Sequence, residues 1–306
     1  MRNKFAEIFY DMAKVDSKLV LIVADISPAG SIEMFRKNYP SRFINTGVSE
    51  QIMIGMSAGL AQRGWRPFVY TIATFALYRP FEFIRDDLCY QNLPVTIVGI
   101  GGGRSYTTLG ATHHAQEDIG LATLIPNLKI IAPCDPKEVE EATKWCAKEN
   151  ENGPVYLRLG KSGEPDLTKN AIEIWKFGKM RMISSGEDMA LITYGAIAKT
   201  SVEVVNNLKV NGINTDLYFV STLKPFDDTR LIEIFKKHQK IVIIEEHVEF
   251  GGLATQVQIL AQKYKWLGSL KIFNLPNEFS HSYSDPIDFY KNLNLDAKSI
   301  TQKIIS

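Results

Sequence analysis

Cysteine is scarce and unpaired in this sequence. The three residues, Cys89, Cys134 and Cys146, are odd in number and far apart, so they build neither a disulfide framework nor a metal or redox pair. No apolar run approaches the roughly 18 residues that a membrane-crossing helix needs. The stretch Met1-Arg2-Asn3-Lys4-Phe5-Ala6-Glu7 has no apolar core of the kind a secretory leader carries. Neither sign of charge is in excess. Lys+Arg number 35 against 34 Asp+Glu, which gives no electrostatic reason to bind nucleic acid or a membrane surface. Repeats and low-complexity segments are missing as well. The expectation from these absences is a cytoplasmic protein.

What is present is a chain of 306 residues with 45% hydrophobic content, enough for two domains and a sizeable core. Strand and helix patterns alternate along it. Continuous apolar runs at Leu19–Val23, 67–72, 95–100 and 155–159, with shorter ones at 43–46 and 129–133, predict strands buried on both faces, as in a parallel sheet. Helices are expected over 3–14 and 136–148. Residues 160–187 are polar and less periodic. A second series follows, with strands at 189–193, 215–220, 240–246 and 270–273 and helices near 196–210, 227–238 and 252–264. The fold class is α/β, two open and mostly parallel-sheet domains, with boundaries at 1–165 and 187–306 and a linker at 166–186.

Three stretches carry chemistry. The first is Gly47-Val48-Ser49-Glu50-Gln51, where Ser49 is placed to cap a helix that Glu50 opens. The run behind it is apolar and small, so the helix is expected to be buried nearly all round. A carboxylate at such a position needs a partner, either the helix N-terminus or a ligand. The second is Phe75-Ala76-Leu77-Tyr78-Arg79-Pro80-Phe81. Phe75, Tyr78 and Phe81 share a helical face, which reads as core or as the wall of a site. Pro80 is expected to kink that helix or to stand in its first turn. The third is the glycine-rich loop 101–114, which follows a strand end and closes on His113-His114. Asp25, just past the first strand, stands either at a ligand site or as the cap of a turn. Glu245-Glu246-His247 before Gly251-Gly252 reads either as an anion site at a helix start or as a tight strand-to-helix turn.

In order and spacing, Gly47-Val48-Ser49-Glu50-Gln51, Ala73-Thr74-Phe75, Gly110-Ala111-Thr112-His113 and Glu245-Glu246-His247 resemble the C-terminal half of transketolase, over nearly the whole chain. That half is a thiamine-diphosphate pyrimidine-binding domain followed by the transketolase C-terminal domain. The resemblance extends to 1-deoxyxylulose-5-phosphate synthase and to the beta subunits of 2-oxoacid dehydrogenases. It implies that Glu50 hydrogen-bonds a ring nitrogen of the cofactor's aminopyrimidine and favours the imino tautomer that deprotonates the thiazolium carbon. It places Phe75 as the ring stacked on the pyrimidine, with Tyr78 and Phe81 lining the same pocket and Asp25 at the cofactor. His113 would contact substrate hydroxyls, and Arg2 and Arg158 would hold a phosphate.

Some positions depart from that pattern. Leu109 stands where transketolase has an aspartate, Gly101 where it has a phosphate-binding histidine, and Ala29 where it has a serine. The run Gly101–Gly103 leaves more room than a histidine would, so the expected acceptor is bulkier or less hydroxylated than a simple aldose phosphate, for instance a nucleotide-linked, deoxy or modified sugar. No Gly-Asp-Gly motif for Mg²⁺ and diphosphate occurs. The resemblance therefore implies a split enzyme: this chain with a separate diphosphate-binding subunit, paired as α2β2, with thiamine diphosphate and with Mg²⁺ held mainly by the partner. The competing expectations are a 2-oxoacid dehydrogenase beta subunit, a deoxyxylulose phosphate synthase-like enzyme, or a non-catalytic regulatory homologue.

Overall fold

The computed structural model describes residues 1–26, 30–148, 153–281 and 283–306. The apolar runs form the strands their composition predicts. In the first half these are β1 (Leu19–Val23), β2 (Phe43–Asn45), β3 (Arg66–Ile72), β4 (Thr96–Ile100), β5 (Lys129–Ile131) and β6 (Val155–Leu159). In the second half they are β8 (Met189–Thr193), β9 (Thr215–Phe219), β11 (Lys240–Val248) and β12 (Ser269–Leu275), joined by two strands that the apolar pattern does not mark, β7 (Arg181–Ser184) and β10 (Thr222–Lys224). Every residue of β1, β4, β6, β8 and β9 is buried, which accounts for sequences with no polar alternation.

Two sheets result. The first has seven strands in the order β10-β5-β6-β4-β3-β1-β2, and the second has five in the order β12-β11-β8-β9-β7. All pairings are parallel except β10 with β5 and β7 with β9. In the first sheet the chain passes from β1 to β2 on one side and then to β3 on the other. The crevice at the C-terminal ends of β1 and β3 is therefore where such a sheet receives ligands. Among the described residues, no helix is long and apolar enough to cross a membrane.

Two strands do not follow the domain division expected from the sequence. Residues 181–184, assigned to the linker, form the edge strand β7, whose weak apolar pattern reflects an edge strand's need for only one apolar face. Strand β10 comes from the second domain but pairs antiparallel with β5 of the first, Thr222 opposite Ile131 and Lys224 opposite Ile130. Lys224 Nζ then donates to the carbonyl of Thr123 at 2.8 Å. A single apolar cluster accordingly runs through both domains, from Ile54 and Val69 through Ile130 to Ile192, Val220 and Ile243.

The Glu50–Gln62 helix is not buried all round. Met53, Ile54, Ser57, Ala58 and Ala61 face the core, while Ile52 and Met56 lie on the open side, 57% and 38% exposed. Val48 precedes them at 70% exposure, and Phe83 packs beside Gly55. Apolar residues on both faces give a sequence pattern that looks wholly internal. A strip of this kind marks an interface. The chain is expected to self-associate through it, and Ile52→Lys should weaken that association about tenfold or more, as for a residue central to an interface. Light scattering across a concentration series measures this. Unchanged association in the variant would place the contact elsewhere.

Candidate active site

Beside the β1/β3 crevice, the exits of β1 and β2 are tied together by Asn45. Its side-chain oxygen accepts from Asp25 N at 3.0 Å and from Gly47 N at 2.9 Å. Gly47 has φ +68°, a backbone turn that glycine adopts without strain. That turn delivers Ser49 to the N-cap position, although the serine makes no side-chain capping bond. Glu50 follows in the first turn, 2% exposed.

Glu50 is not alone in a dry site. Arg79 Nη1 donates to both of its carboxylate oxygens, each at 3.0 Å. The Arg79 side chain is 42% exposed against 3% for Glu50, so the pair reaches from the interior to the surface. The same guanidinium lies 4.2 Å from the centroid of the Phe75 ring. Phe75 in turn meets the His113 imidazole edge-on, with centroids 5.2 Å apart. Burial pushes the His113 pKa below its ordinary value, and the Arg79 charge adds to the effect. Tyr106 continues the row, 6.3 Å from His113, with Lys161 Nζ over its ring at 5.2 Å.

Phe75 sits on the short helix Ala73–Leu77 directly after β3. Pro80 stands at the break that follows, before the Phe81–Phe83 turn and the wide π-type turns of Ile84–Tyr90, so the proline interrupts the helix as its chemistry demands. Tyr78 and Phe81 pack against the first core cluster. The Tyr78 hydroxyl donates to Glu117 at 2.9 Å, which links the Phe75 helix to the segment after His113.

The glycine loop is packed, not roomy. A Cβ at Gly101 would run into the Tyr106 ring, one at Gly102 into Arg158, and one at Gly103 into Glu246. The expectation of extra space for a bulky acceptor is therefore corrected: the volume is taken by Tyr106. Arg104 crosses to the second domain, where its backbone N–H donates to Glu246 at 2.7 Å and its Nη2 to the Glu278 carbonyl at 2.8 Å.

Arg158 does not reach the site's mouth. It is 3% exposed; its Nε donates to Asp118 at 2.8 Å and its Nη2 to the Glu246 carbonyl at 3.2 Å. Asp118 also accepts from the Tyr156 hydroxyl at 2.7 Å. Burial opposes the charge on Arg158, but the Asp118 carboxylate acting together with Tyr194, Glu246 and Tyr156 more than offsets it, holding the arginine protonated. Three residues further on, Lys161 is exposed and lines a cavity of about 530 Å³ on the seam between the domains, together with Ser105, Lys199 and Glu246. Sequence reasoning named Arg158 and passed over Lys161, because an arginine inside a strand and a lysine just past it look alike without a burial pattern.

The Glu245-Glu246-His247 segment is structural. Glu245 accepts from the N–H groups of Leu253 and Ala254 at 2.8 and 3.0 Å, so the helix N-terminus is filled by the chain's own carboxylate. Gly252 is required there because a Cβ would strike Glu245. Of the two sequence readings, the tight turn is the one observed. Glu246 accepts from Arg104 and from the Tyr290 hydroxyl, and His247 Nε2 accepts from Gly120 N at 3.0 Å. Burial raises the pKa of both glutamates.

Of the residues named from the sequence, the structure brings Glu50, Phe75 and His113 together. Asp25 lies just past β1 with φ +46° and an exposed side chain, joined to the Glu50 segment through Asn45. Arg2 lies beside Tyr106, whose hydroxyl feels its charge, and Arg2 Nε is buried without a hydrogen-bond partner. Leu109 is 47% exposed. Ala29 lies outside the described residues. Sequence reasoning missed Arg79. The available signal was its spacing, four residues after Phe75 and beside Pro80. Among the described residues, no three His, Cys, Asp or Glu side chains converge on a metal site.

Comparison with known proteins identifies relatives of both halves of the chain. Residues 1–164 match the family "Transketolase, pyrimidine binding domain" and residues 178–300 match "Transketolase, C-terminal domain". The chain is 31% identical over 278 residues to an apulose-4-phosphate transketolase subunit from Phocaeicola vulgatus, covering 90% of this chain and 88% of that one. It is 31% identical to the 1-deoxy-D-xylulose-5-phosphate synthase of Alkaliphilus oremlandii over 96% of its own length but 46% of the synthase. Among solved structures, a split-gene transketolase described as an inactive beta4 tetramer superposes with TM-score 0.87 and 29% identity, covering 98% of this chain and 95% of that one.

The buried Arg158–Asp118 pair generates a stability prediction. Asp118→Ala strands a buried guanidinium and should cost about 3–5 kcal/mol. Tyr156→Phe removes one hydrogen bond to the same carboxylate and should cost about 1 kcal/mol. Urea denaturation measures both, and equal midpoints for Asp118→Ala and the parent chain would show that the pair holds nothing.

Proposed function

Because this chain belongs to the transketolase family along both of its domains, we propose that it is the pyrimidine-binding subunit of a split, thiamine-diphosphate-dependent transketolase. It transfers a two-carbon ketol unit from a ketose donor to an aldehyde or keto sugar acceptor. The observation that carries this is the convergence of a buried carboxylate, a stacking ring and an imidazole at one sheet crevice: Glu50, Phe75 and His113.

These residues fit the aminopyrimidine half of the cofactor. A flat nitrogen-bearing group already stacks on Phe75 while hydrogen-bonded to Glu50, namely the Arg79 guanidinium. Glu50 would hold the ring nitrogen and Phe75 the ring face, with Tyr78 and Phe81 supporting the helix that presents Phe75. When bound, the cofactor supplies the electron sink for carbon–carbon cleavage. His113, held toward its neutral form, can accept or donate a proton at the substrate hydroxyls. Arg2, with its unpartnered Nε, and the exposed Lys161 are the cations assigned to a substrate phosphate. We leave Arg158 out of that role.

We assign the diphosphate and Mg²⁺ to a separate subunit, with two copies of each chain in the cytoplasmic complex. The near-complete coverage of a relative that is itself one subunit of a transketolase, against less than half of a single-chain synthase, supports this. So does the solved relative described as an inactive tetramer of beta chains. Two relatives are named for apulose 4-phosphate, which makes that ketose phosphate the first donor to try. The similarity to 1-deoxy-D-xylulose-5-phosphate synthases favours a second reading, distinguished by whether that product forms.

Two outcomes are expected. Glu50→Gln should lower turnover of the reconstituted complex by at least the ~10²–10⁴-fold typical of acid–base groups, with an unchanged circular dichroism spectrum. Near-parental turnover in that variant would remove Glu50 from the chemistry. The chain by itself should bind thiamine diphosphate weakly, and adding the diphosphate-binding subunit should restore both tight binding and ketol transfer. Tight, Mg²⁺-dependent binding by the lone chain in calorimetry would contradict the division of labour.

A further inference from the structure

Arg79 meets both groups that the aminopyrimidine would need. Its Nη1 donates to the two oxygens of Glu50 at 3.0 Å, and its guanidinium carbon stands 4.2 Å from the centre of the Phe75 ring. A guanidinium and an aminopyrimidine are both flat, delocalised and nitrogen-edged, so one can take the other's place against an aromatic face. They differ in polarity. A guanidinium has only donors, so the carboxyl must offer it lone pairs, whereas a pyrimidine ring nitrogen accepts and asks the carboxyl for a proton. Arg79 and the cofactor therefore cannot share Glu50.

We propose that Arg79 is an internal competitor for the cofactor: it occupies the face of Phe75 and the carboxylate of Glu50, must swing out for the pyrimidine to enter, and so sets how tightly this chain takes up thiamine diphosphate. The proposal rests on the cofactor reading given above. Of the three side chains only Arg79 is free to leave. Glu50 is fixed in the first turn of a helix at 3% side-chain exposure and Phe75 is carried by the helix after β3, while Arg79 is 42% exposed and stands next to Pro80 in the break between helical segments. A cation leaving for water loses little solvation, so the closed arrangement needs only modest stability to matter. Apparent affinity falls in proportion to the fraction of molecules with the slot open. His113 reports the position of the same guanidinium, because the Arg79 charge helps to hold its pKa down.

The experiment compares the complete chain with its Arg79→Met and Arg79→Lys variants, each alone and assembled with the diphosphate-binding subunit. Thiamine diphosphate with Mg²⁺ is the titrant in calorimetry, and NMR follows the His113 imidazole. Arg79→Met should bind the cofactor about tenfold tighter than the parent, which is about 1.4 kcal/mol, and its His113 should titrate at higher pH. Arg79→Lys keeps a cation beside Glu50 but has no plane to stack, so it should fold normally and also bind more tightly than the parent. Equal or weaker binding by both variants, with the parent still binding, would overturn the competitor role alone. Failure of every form to take up cofactor, in the assembled complex too, would overturn the cofactor reading and this proposal together.

Discussion

The buried pair between Arg158 and Asp118 is the contact on which the rest of the site depends. It joins β6 to the first turn of the helix after His113, and the same guanidinium reaches across to the Glu246 carbonyl of the second domain. An ion pair at 3% and 0% side-chain exposure is not in itself a large source of stability, since desolvating both charges offsets much of their attraction. Its effect is positional. With Arg158 fixed, Gly102 must lie flat against it, Gly103 must lie against Glu246, and Arg104 must enter the second domain. The loop that ends in His113 thus takes its course from side chains that never touch a substrate.

Much of the fold was legible in the sequence because it depends on local rules. Leu19–Val23 and Thr96–Ile100 are apolar without alternation because both faces are covered, and a parallel sheet is the arrangement that covers both. Part of the site was legible too. Glu50 could be seen as a carboxylate opening an apolar helix, and Phe75 as an aromatic residue just past a strand. What could not be read was how space and charge are filled from a distance. Nothing in Gly101-Gly102-Gly103 announces that Tyr106, Arg158 and Glu246 lie against those three backbones in turn. Nothing in Glu245 announces that it satisfies the N-terminus of a helix eight residues on. The burial of Arg158 and the exposure of Lys161 are likewise set by the seam, and a seam is built from two parts of the chain at once.

The two ends of the candidate site differ in kind. At the Glu50 end the groups are held by the first domain alone, through the Asn45 bridge, the Glu50 helix and the helix after β3. At the His113 end the wall is shared. The Glu278 carbonyl accepts from Arg104 and from Gln116, and Val248 N donates to the Gln116 carbonyl at 3.0 Å. Recognition of a common cofactor can stay constant on such a frame while the substrate end changes with the second domain.

Strand β10 carries a consequence for how the molecule folds and comes apart. The family matches divide the chain at residues 164 and 178, yet the first sheet is completed only at residues 222–224. If the first domain were made alone, β5 would offer a row of unpaired backbone groups, the kind of open edge that templates aggregation. The two evolutionary modules therefore form one cooperative unit. Local opening would have to peel β10 away before the halves could separate, and amide exchange at Ala132, whose N–H donates to the Ser221 carbonyl at 2.7 Å, would report on the whole molecule rather than on its N-terminal half.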